Sequence, residues 1–325
     1  MEQRRIDRLG RDVSVVGLGT WQLGADWGQV EPAAAHAVLD TAVEAGVTFF
    51  DTADVYGDGR SERFCGELRA RHPGVFVATK MGRRAEQLPE NYNAAAFEAW
   101  NARSRENLGY EPLDLVQLHC PPDAVYEDDA VFEALDALVE KGRIRAYGVS
   151  VETCAQALRA IARPQVASVQ IILNCFRLKP LEEVLPAARA AGVGIIARVP
   201  LASGLLSGRY DEHTTFAPED HRSYNRHGEA FDVGETFSGV PFETGVAAAR
   251  ELKALLDPGV TLAQFALRWV IDQAGVSTVI PGARNSEQVL QNVSAAALPP
   301  LRAEQLRGVE EVYDRLIRPH VHARW

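Results

Sequence analysis

The stretch PAAAHAVLDTAVEAGVTFFDTA, residues 32–53, joins a helix pattern to a strand pattern. Pro32 stands near the start of its alanine-rich part and Gly46 lies just past the end, which is typical of a helix that begins at a proline and stops before a glycine. The apolar run Thr48–Ala53 that follows is short and comes after a glycine, as buried parallel strands do. The stretch therefore predicts a helix that leads directly into a buried strand.

The same pattern recurs along the chain. Seven further short apolar runs occur, namely SVVGLG from Ser14, VFVATK from Val75, LDLVQLH from Leu113, RAYGVS from Arg145, SVQIILN from Ser168, GVGIIARVP from Gly192 and STVIPGA from Ser277. Helical stretches alternate with them. Eight such units in about 250 to 350 residues fit a (β/α)8 TIM barrel better than a doubly wound sheet. Because no linker divides the chain, we predict that residues 1–325 form one barrel domain.

Two segments fall outside this repeat. Residues 4–19, RRIDRLGRDVSVVGLG, alternate around Gly10 like a small β-hairpin, which we expect to close the bottom of the barrel. The segment Leu201–Phe242, after the seventh strand, is rich in Gly, Asp, His and Arg and has little periodicity. Loops of this length are uncommon unless they are functional or disordered.

Composition limits the class of protein. Of 325 residues, 46% are hydrophobic and 24% are charged, and the formal charge is −10 without a long basic run, which argues against a nucleic-acid partner. Met1–Gly10 is charged where a secretory signal would turn apolar, and no segment approaches the roughly 18 apolar residues of a membrane span. Four scattered cysteines without a CxxC pair predict reduced thiols and neither disulfides nor a zinc site: Cys65, Cys120, Cys154 and Cys175. We therefore expect a cytoplasmic protein that does not bind membranes.

Polar side chains follow three neighbouring strands. In a barrel, the residues that do chemistry lie at the carboxyl ends of the strands and in the loops after them. That rule selects Asp51, Tyr56, Lys80 and His119. Taken singly, each is more often a cap, a surface or a structural residue. Together they are brought to one rim of the barrel, which favours a functional interpretation.

The chemistry of these four residues is mutually consistent. A tyrosine hydroxyl has a pKa of about 10, and a nearby ammonium such as that of Lys80 is expected to lower it. Asp51 on the neighbouring strand can keep Lys80 charged in a partly desolvated site. His119 can donate a hydrogen bond to a substrate oxygen. The four residues therefore predict a proton donor placed beside a polarised carbonyl.

The chain resembles the aldo-keto reductase family over almost its whole length. The motifs that carry this resemblance, in order, are GLGTWQLG, FFDTADVYGDGRSE, VATKMG, VQLHCPP, GVS, SVQIILN, PLASGLLSGRY and IPGARNSEQVLQN. The family's catalytic tetrad falls on Asp51, Tyr56, Lys80 and His119. The resemblance implies NADPH-dependent reduction of an aldehyde or ketone without a metal, in which Tyr56 protonates the carbonyl oxygen. It also implies that Trp21, Tyr56 and His119 contact the substrate.

The resemblance assigns cofactor contacts as well. They fall on Thr20, Trp21, Asp51, Ser150, Gln170, Arg198, Pro200, Leu201, Ser203, Gly204, Ser207, Arg209, Gly282, Ala283, Arg284, Gln288, Gln291 and Asn292. Ser150 and Gln170 match residues that bind the nicotinamide carboxamide, and Pro200–Arg209 resembles a loop that covers the pyrophosphate. The residues after the eighth strand match the site for adenosine and its 2′-phosphate. The planar guanidinium of Arg284 suits a phosphate, which favours NADP over NAD.

Two positions depart from the family pattern. Arg198 stands where many members carry an aromatic residue, and we hypothesise that its charge favours NADPH over NADP⁺; an equally open alternative turns it toward a phosphate or a carboxylate. Val151 stands where many members have Asn or Arg, so a carboxamide contact is missing or supplied by the main chain. Family members often bring C-terminal residues over the substrate pocket, so His322 and Trp325 in the segment Arg315–Trp325 are candidates for substrate contact, but a disordered or interface-bound tail is equally open.

Three functions remain open from the sequence. The leading one is a cytoplasmic NADPH-dependent carbonyl reductase. The second is a nucleotide-binding, redox-sensing regulatory subunit with slow turnover, and the third is an NADP-dependent sugar dehydrogenase that runs in the oxidative direction. The substrate and the oligomeric state do not follow from the sequence, because specificity depends on loop conformations.

Overall fold

The structure is a computed structural model that describes residues 1–24 and 30–325. Its strands lie, in chain order, at β1 Gln3–Ile6, β2 Arg11–Ser14, β3 Leu18–Gly19, β4 Phe49–Asp51, β5 Phe76–Met81, β6 Leu115–His119, β7 Tyr147–Ser150, β8 Val166–Ile172, β9 Gly194–Arg198 and β10 Val276–Val279. The strands β3 to β10 match the eight predicted runs. They pair in parallel and in sequence order.

The last strand returns to the first. The amide of Gly17 donates to the carbonyl of Val279 at 2.8 Å, and the amide of Gly19 donates to the carbonyl of Pro281 at 3.1 Å. These parallel bridges join the two ends of the eight-stranded sheet. The predicted (β/α)8 barrel is therefore confirmed.

Helices connect the strands on the outside of the barrel. Their bounds are α1 Trp21–Gly24, α2 Pro32–Glu44, α3 Arg60–Arg71, α4 Ala94–Leu108, α5 Asp129–Glu140, α6 Cys154–Ile161, α7 Val184–Ala191, α8 His221–Tyr224, α9 Phe242–Leu252, α10 Leu262–Asp272, α11 Ser286–Ser294, α12 Ala303–Val312 and α13 Arg318–Val321. Several begin at side-chain caps; Thr153 and Thr261, for example, each form a reciprocal capping box with a glutamine. None of the described helices combines the length and the apolar character that crossing a bilayer requires.

The stretch at residues 32–53 forms the predicted helix and strand. The helix α2 buries Ala35, Val38, Leu39 and Ala42, which share one face because they recur at helical spacing. In β4, successive side chains point to opposite faces of the sheet. Phe50 accordingly joins the large apolar cluster that also contains the buried face of α2, whereas Phe49 joins a separate cluster inside the barrel.

The N-terminal hairpin is formed by β1 and β2, which pair antiparallel around a turn that ends at Gly10. Ile6 and Val13 belong to the same inner cluster as Phe49, and Arg8 donates to main-chain carbonyls near β8. The hairpin thus covers the amino-terminal end of the barrel, as expected. The predicted catalytic residues are expected at the opposite end of the barrel, where β4 to β9 end.

The segment between β9 and α9, residues 199–241, is called the β9–α9 loop. It contains the short helix α8 and three 3-10 turns, at Ala202–Ser207, Val233–Glu235 and Phe237–Gly239. Phe216 and Phe237 of the loop pack against each other and against Phe242, the first residue of α9. The loop is therefore packed against the barrel rather than extended from it, although its sequence shows no period.

Candidate active site

The structure brings the four predicted catalytic residues together at the carboxyl end of the barrel. Asp51 and His119 are the last residues of β4 and β6, and Lys80 lies near the end of β5. Tyr56 lies in the turn before α3. The Nζ of Lys80 is 3.4 Å from the hydroxyl oxygen of Tyr56 and bonds to Oδ1 of Asp51, while the rings of Tyr56 and His119 lie edge to face at 5.9 Å.

Asp51 and Lys80 form a buried ion pair. Besides its bond to Asp51, Lys80 donates to the carbonyl of Thr52 at 2.9 Å. The second oxygen of Asp51 accepts from the side-chain amides of Gln170 at 2.8 Å and Gln117 at 3.3 Å. Burial acts to lower the pKa of Lys80, but the charge of Asp51 and the hydrogen bonds to Asp51 and Tyr56 raise it above its ordinary value. Lys80 is therefore an ammonium at neutral pH.

Tyr56 is a neutral phenol. Burial raises the pKa of its hydroxyl, and the lowering by Lys80 only partly opposes this. The expectation that Lys80 lowers the pKa of Tyr56 overall is wrong, because desolvation of the phenolate outweighs the attraction of one ammonium. The phenol carries its proton at neutral pH, as a proton donor must.

His119 is a neutral imidazole. Burial lowers its pKa well below the ordinary value, and the nearby cations Arg83, Lys80 and Arg198 act in the same direction. Its Nδ1 has no hydrogen-bond partner among the described residues. A neutral imidazole offers one donor and one acceptor, so His119 can hold a substrate oxygen without supplying a full charge.

The turn that presents Tyr56 depends on Gly57. This residue has a φ of 59°, and a Cβ there would overlap the carbonyl of Gly24 at the end of α1. Any larger residue would separate the Tyr56 turn from α1. Because the two segments touch, the ring of Trp21 stacks on that of Tyr56 with 6.0 Å between ring centres.

A cavity of about 570 Å³ opens beside these residues. It is lined by nearly all of the predicted contacts, namely Thr20, Trp21, Asp51, Tyr56, His119, Ser150, Gln170, Arg198, Pro200, Leu201, Ser203, Gly204, Ser207, Arg209, Gly282, Arg284, Gln288, Gln291 and Asn292. Two predicted site residues do not line it. Lys80 lies behind Asp51 and Tyr56, and Ala283 is buried in the apolar cluster between strands and helices. The prediction that Ala283 contacts a cofactor is not supported by this position.

Several residues that line the cavity were not found from the sequence. They are Gln22, Val199, Tyr210, Thr214, Thr215, Phe216, Arg222, Glu235, Thr261 and Ala263, among others. Most of them belong to the β9–α9 loop. The length of that loop was a signal that it is functional, but nothing in its sequence indicates which side chains face inward.

Arg198 pairs with carboxylates, which is the second of the two arrangements left open from the sequence. Its Nη2 is 2.8 Å from Oε2 of Glu152, and its Nη1 is 3.8 Å from Oε2 of Glu235. Arg83 completes the group, with Nη2 3.1 Å from Glu152 and 2.7 Å from Glu235. We call these four residues the rim network. Its two cations and two anions offset each other beside His119.

The rim network also bears on metal binding. Single ligand atoms of Cys120, Glu152 and Glu235 lie within 4.8 Å of one another, a spacing that a metal ion could bridge. However, Arg83 and Arg198 already pair with both carboxylates, and burial raises the pKa of the Cys120 thiol to about 12. A cation here would face two guanidinium groups and a neutral thiol.

The structure also shows the positions of Val151 and of the C-terminal segment. Val151 is buried, its amide donates to the carbonyl of Gln170 at 2.9 Å, and its own carbonyl accepts from Arg198. His322 bonds to the hydroxyl of Tyr313 at 2.8 Å and faces Glu182, and Trp325 is buried under the β9–α9 loop. Neither His322 nor Trp325 lines the cavity, so the expected substrate contact is not seen, and the segment is packed rather than disordered.

The fold and the site define a class of protein, a (β/α)8-barrel oxidoreductase. Residues 15–314 match the model of the Aldo/keto reductase family, so the chain belongs to that family. It is 33% identical over 305 residues to the oxidoreductase Mb2320 of Mycobacterium bovis, covering 91% of this chain and 88% of that one.

Two further relatives differ in their named roles. A probable voltage-gated potassium channel subunit beta of Arabidopsis thaliana is 28% identical over 325 residues, with 93% of each chain covered. The solved structure of the glycerol dehydrogenase AKR11B4 from Gluconobacter oxydans is 29% identical with a TM-score of 0.77, and the match covers 98% of this chain and 96% of that one. The chain is therefore similar to proteins of more than one function.

Proposed function

We propose that this protein reduces an aldehyde or ketone to an alcohol with NADPH. The observation that carries the proposal is the placement of Lys80 between Asp51 and Tyr56, two residues that line a large cavity together with His119. This is the arrangement expected of a proton donor that becomes an anion next to a fixed cation.

Each of the four residues has a distinct role in this proposal. Tyr56 gives its hydroxyl proton to the substrate oxygen, and Lys80 stabilises the phenolate that remains. Asp51 holds Lys80 in place and keeps it charged in a buried position. His119 donates a hydrogen bond to the same substrate oxygen and orients it. When bound, NADPH supplies the hydride that reduces the carbonyl carbon.

The cavity fits a nicotinamide dinucleotide by the chemistry of its lining. Near Tyr56 it offers uncharged polar groups, Ser150 and Gln170, which suit a carboxamide. The lining also contains Arg284 and the amide side chains of α11. Arg284 has no ion-pair partner within residues 1–24 and 30–325, so its guanidinium is available for a phosphate. This supports NADP over NAD.

The proposal is tested by following NADPH consumption against a panel of aldehydes, ketones and sugars, with Tyr56→Phe as the matched control. We expect turnover with at least one aldehyde or ketone, and loss of that turnover in Tyr56→Phe. A wild type that binds NADPH tightly and turns over no member of the panel would contradict the reductase.

The same panel separates two other functions when it is repeated with NADP⁺, with polyols added, and NADPH formation is followed. Similarity to a potassium channel subunit beta favours a nucleotide-binding regulatory subunit, which would bind NADPH with negligible turnover. Similarity to a glycerol dehydrogenase favours oxidation of a polyol or sugar, which would proceed only with NADP⁺. The intact group of Asp51, Tyr56, Lys80 and His119 favours an enzyme over a purely regulatory subunit.

A further inference from the structure

Trp325, which follows α13, packs against the β9–α9 loop. It is buried, its Nε1 donates to Oδ1 of Asp232 at 3.0 Å, and the guanidinium carbon of Arg177 lies 4.1 Å from its ring centre. Two loop glycines make room for the ring. A Cβ on Gly234 would lie 3.0 Å from the indole, and a Cβ on Gly239 would overlap it. This part of the loop is therefore shaped to receive the indole.

The loop backbone beside this ring is strained. The three residues of Phe237–Gly239 have φ values of 52°, 59° and 77°. A left-handed conformation is unfavourable for residues other than glycine and persists only where surrounding contacts fix it. Asn174 of the barrel donates to the hydroxyl of Ser238 at 2.8 Å, and Trp325 covers Gly239 from the other side.

The same segment carries Glu235 to the cavity. Its carboxylate accepts from Arg83 at 2.7 Å and completes the rim network. Its main-chain carbonyl accepts from the hydroxyl of Ser203 at 3.1 Å, and that hydroxyl also accepts from the amide of Phe237 at 3.1 Å. Ser203, a predicted cofactor contact that lines the cavity, also joins the two halves of the loop through its side chain.

We propose that Trp325 is a positioning residue for the cofactor site. It holds residues 232–239 against the barrel, so that Glu235 closes the rim network and the segment around Ser203 stays in place beside the bound dinucleotide. Because Trp325 does not line the cavity, its effect on the ligand passes through the loop. The ligand's identity rests on the proposed function, whereas the anchoring of the loop does not.

The first test uses the protein without NADPH. Hydrogen exchange is measured for Trp325→Ala and for His320→Ala, a control on an exposed residue of α13. We expect exchange of the Phe237 amide to become about tenfold faster in Trp325→Ala and to stay unchanged in the control. Amides of β8 should exchange as in the wild type. Equal acceleration of β8 amides would mean that Trp325 supports the whole fold, which would overturn the proposal, as would an unchanged Phe237 amide.

The second test measures the dissociation constant of NADPH. Trp325→Ala should raise it about tenfold, while the rate of hydride transfer at saturating NADPH stays near that of the wild type. Trp325→Phe keeps an aromatic ring but loses the bond to Asp232, and it should restore most of the affinity. An unchanged dissociation constant in Trp325→Ala would contradict the inference. Absence of NADPH binding in the wild type would instead refute the proposed function and leave the exchange test intact.

Discussion

The Nζ of Lys80 lies 3.4 Å from the hydroxyl oxygen of Tyr56 and also bonds to Asp51. One ammonium therefore links a buried carboxylate to a partly buried phenol that lines the cavity. Since burial raises the pKa of Tyr56 and Lys80 lowers it, Lys80 provides the stabilisation that a phenolate needs.

Replacing Lys80 by Met should separate catalysis from stability. We expect kcat to fall by about 10²-fold or more, because the phenolate of Tyr56 loses its cation. The free energy of unfolding should fall by about 3 kcal/mol, because Asp51 is left as a buried, unpaired charge. The matched control is the double variant Asp51→Asn with Lys80→Met, which should recover stability but not activity. A single variant with wild-type kcat would refute the role of Lys80.

Asp54, two residues before Tyr56, predicts a pH dependence of stability. It is fully buried, and neither carboxyl oxygen has a hydrogen-bond partner among the described residues. Burial and the charge of Glu62 raise its pKa to about 7. The folded state therefore holds this proton while the unfolded state releases it near pH 4, so stability present below that pH is lost as the pH rises through about 7.

Asp54→Asn removes the free-energy cost of ionising this buried carboxyl group at neutral and higher pH. Denaturant unfolding should show nearly equal stability for variant and wild type at pH 4. The variant should become more stable by up to about 4 kcal/mol at pH 8, since each pKa unit corresponds to about 1.4 kcal/mol. A stability difference that does not change between these pH values would show that Asp54 is ionised in the folded protein.

Arg284 is expected to determine the preference for NADPH over NADH. Its replacement by Ala should raise the dissociation constant of NADPH by roughly 10- to 100-fold, the value of a charge-assisted hydrogen bond to a phosphate, and leave that of NADH unchanged. Arg307→Ala, at an exposed arginine of α12, serves as the control. If the affinities for NADPH and NADH fell equally, Arg284 would not contact the 2′-phosphate.

Arg198 is expected to cause only a weak preference for NADPH over NADP⁺. The sequence suggested that its charge favours NADPH over NADP⁺, but Glu152 and Glu235 offset that charge within the rim network. We therefore expect Arg198→Met to change the ratio of the two dissociation constants by less than about threefold. A change of tenfold or more would restore the original hypothesis.

Much of the site could be predicted because it depends on strand ends. A parallel barrel gathers the residues at the carboxyl ends of its strands, so Asp51, Lys80 and His119 are found once the strands are recognised. Their mutual chemistry then follows from residue type. The balance between burial and charge does not follow from residue type. For that reason the predicted direction of the pKa shift of Tyr56 was wrong.

The remaining residues depend on tertiary packing that has no local signal. Glu235 enters the cavity because the β9–α9 loop folds back on itself, and the loop sequence has no period to indicate this. Nothing in the sequence distinguishes Asp54 from a solvent-exposed loop residue, because only the packed structure shows that it is buried. Likewise, Trp325 contacts the loop at Asp232, which lies 93 residues earlier in the sequence.

The central claim is that Tyr56 donates the proton to the substrate oxygen, and a single-turnover measurement tests it most directly. NADPH oxidation is compared between the wild type and Tyr56→Phe, with both saturated by NADPH and by the best carbonyl substrate of the panel. We predict that the variant binds NADPH with unchanged affinity and oxidises it at least about 10²-fold more slowly. A Tyr56→Phe variant that oxidises NADPH at the wild-type rate would contradict the account.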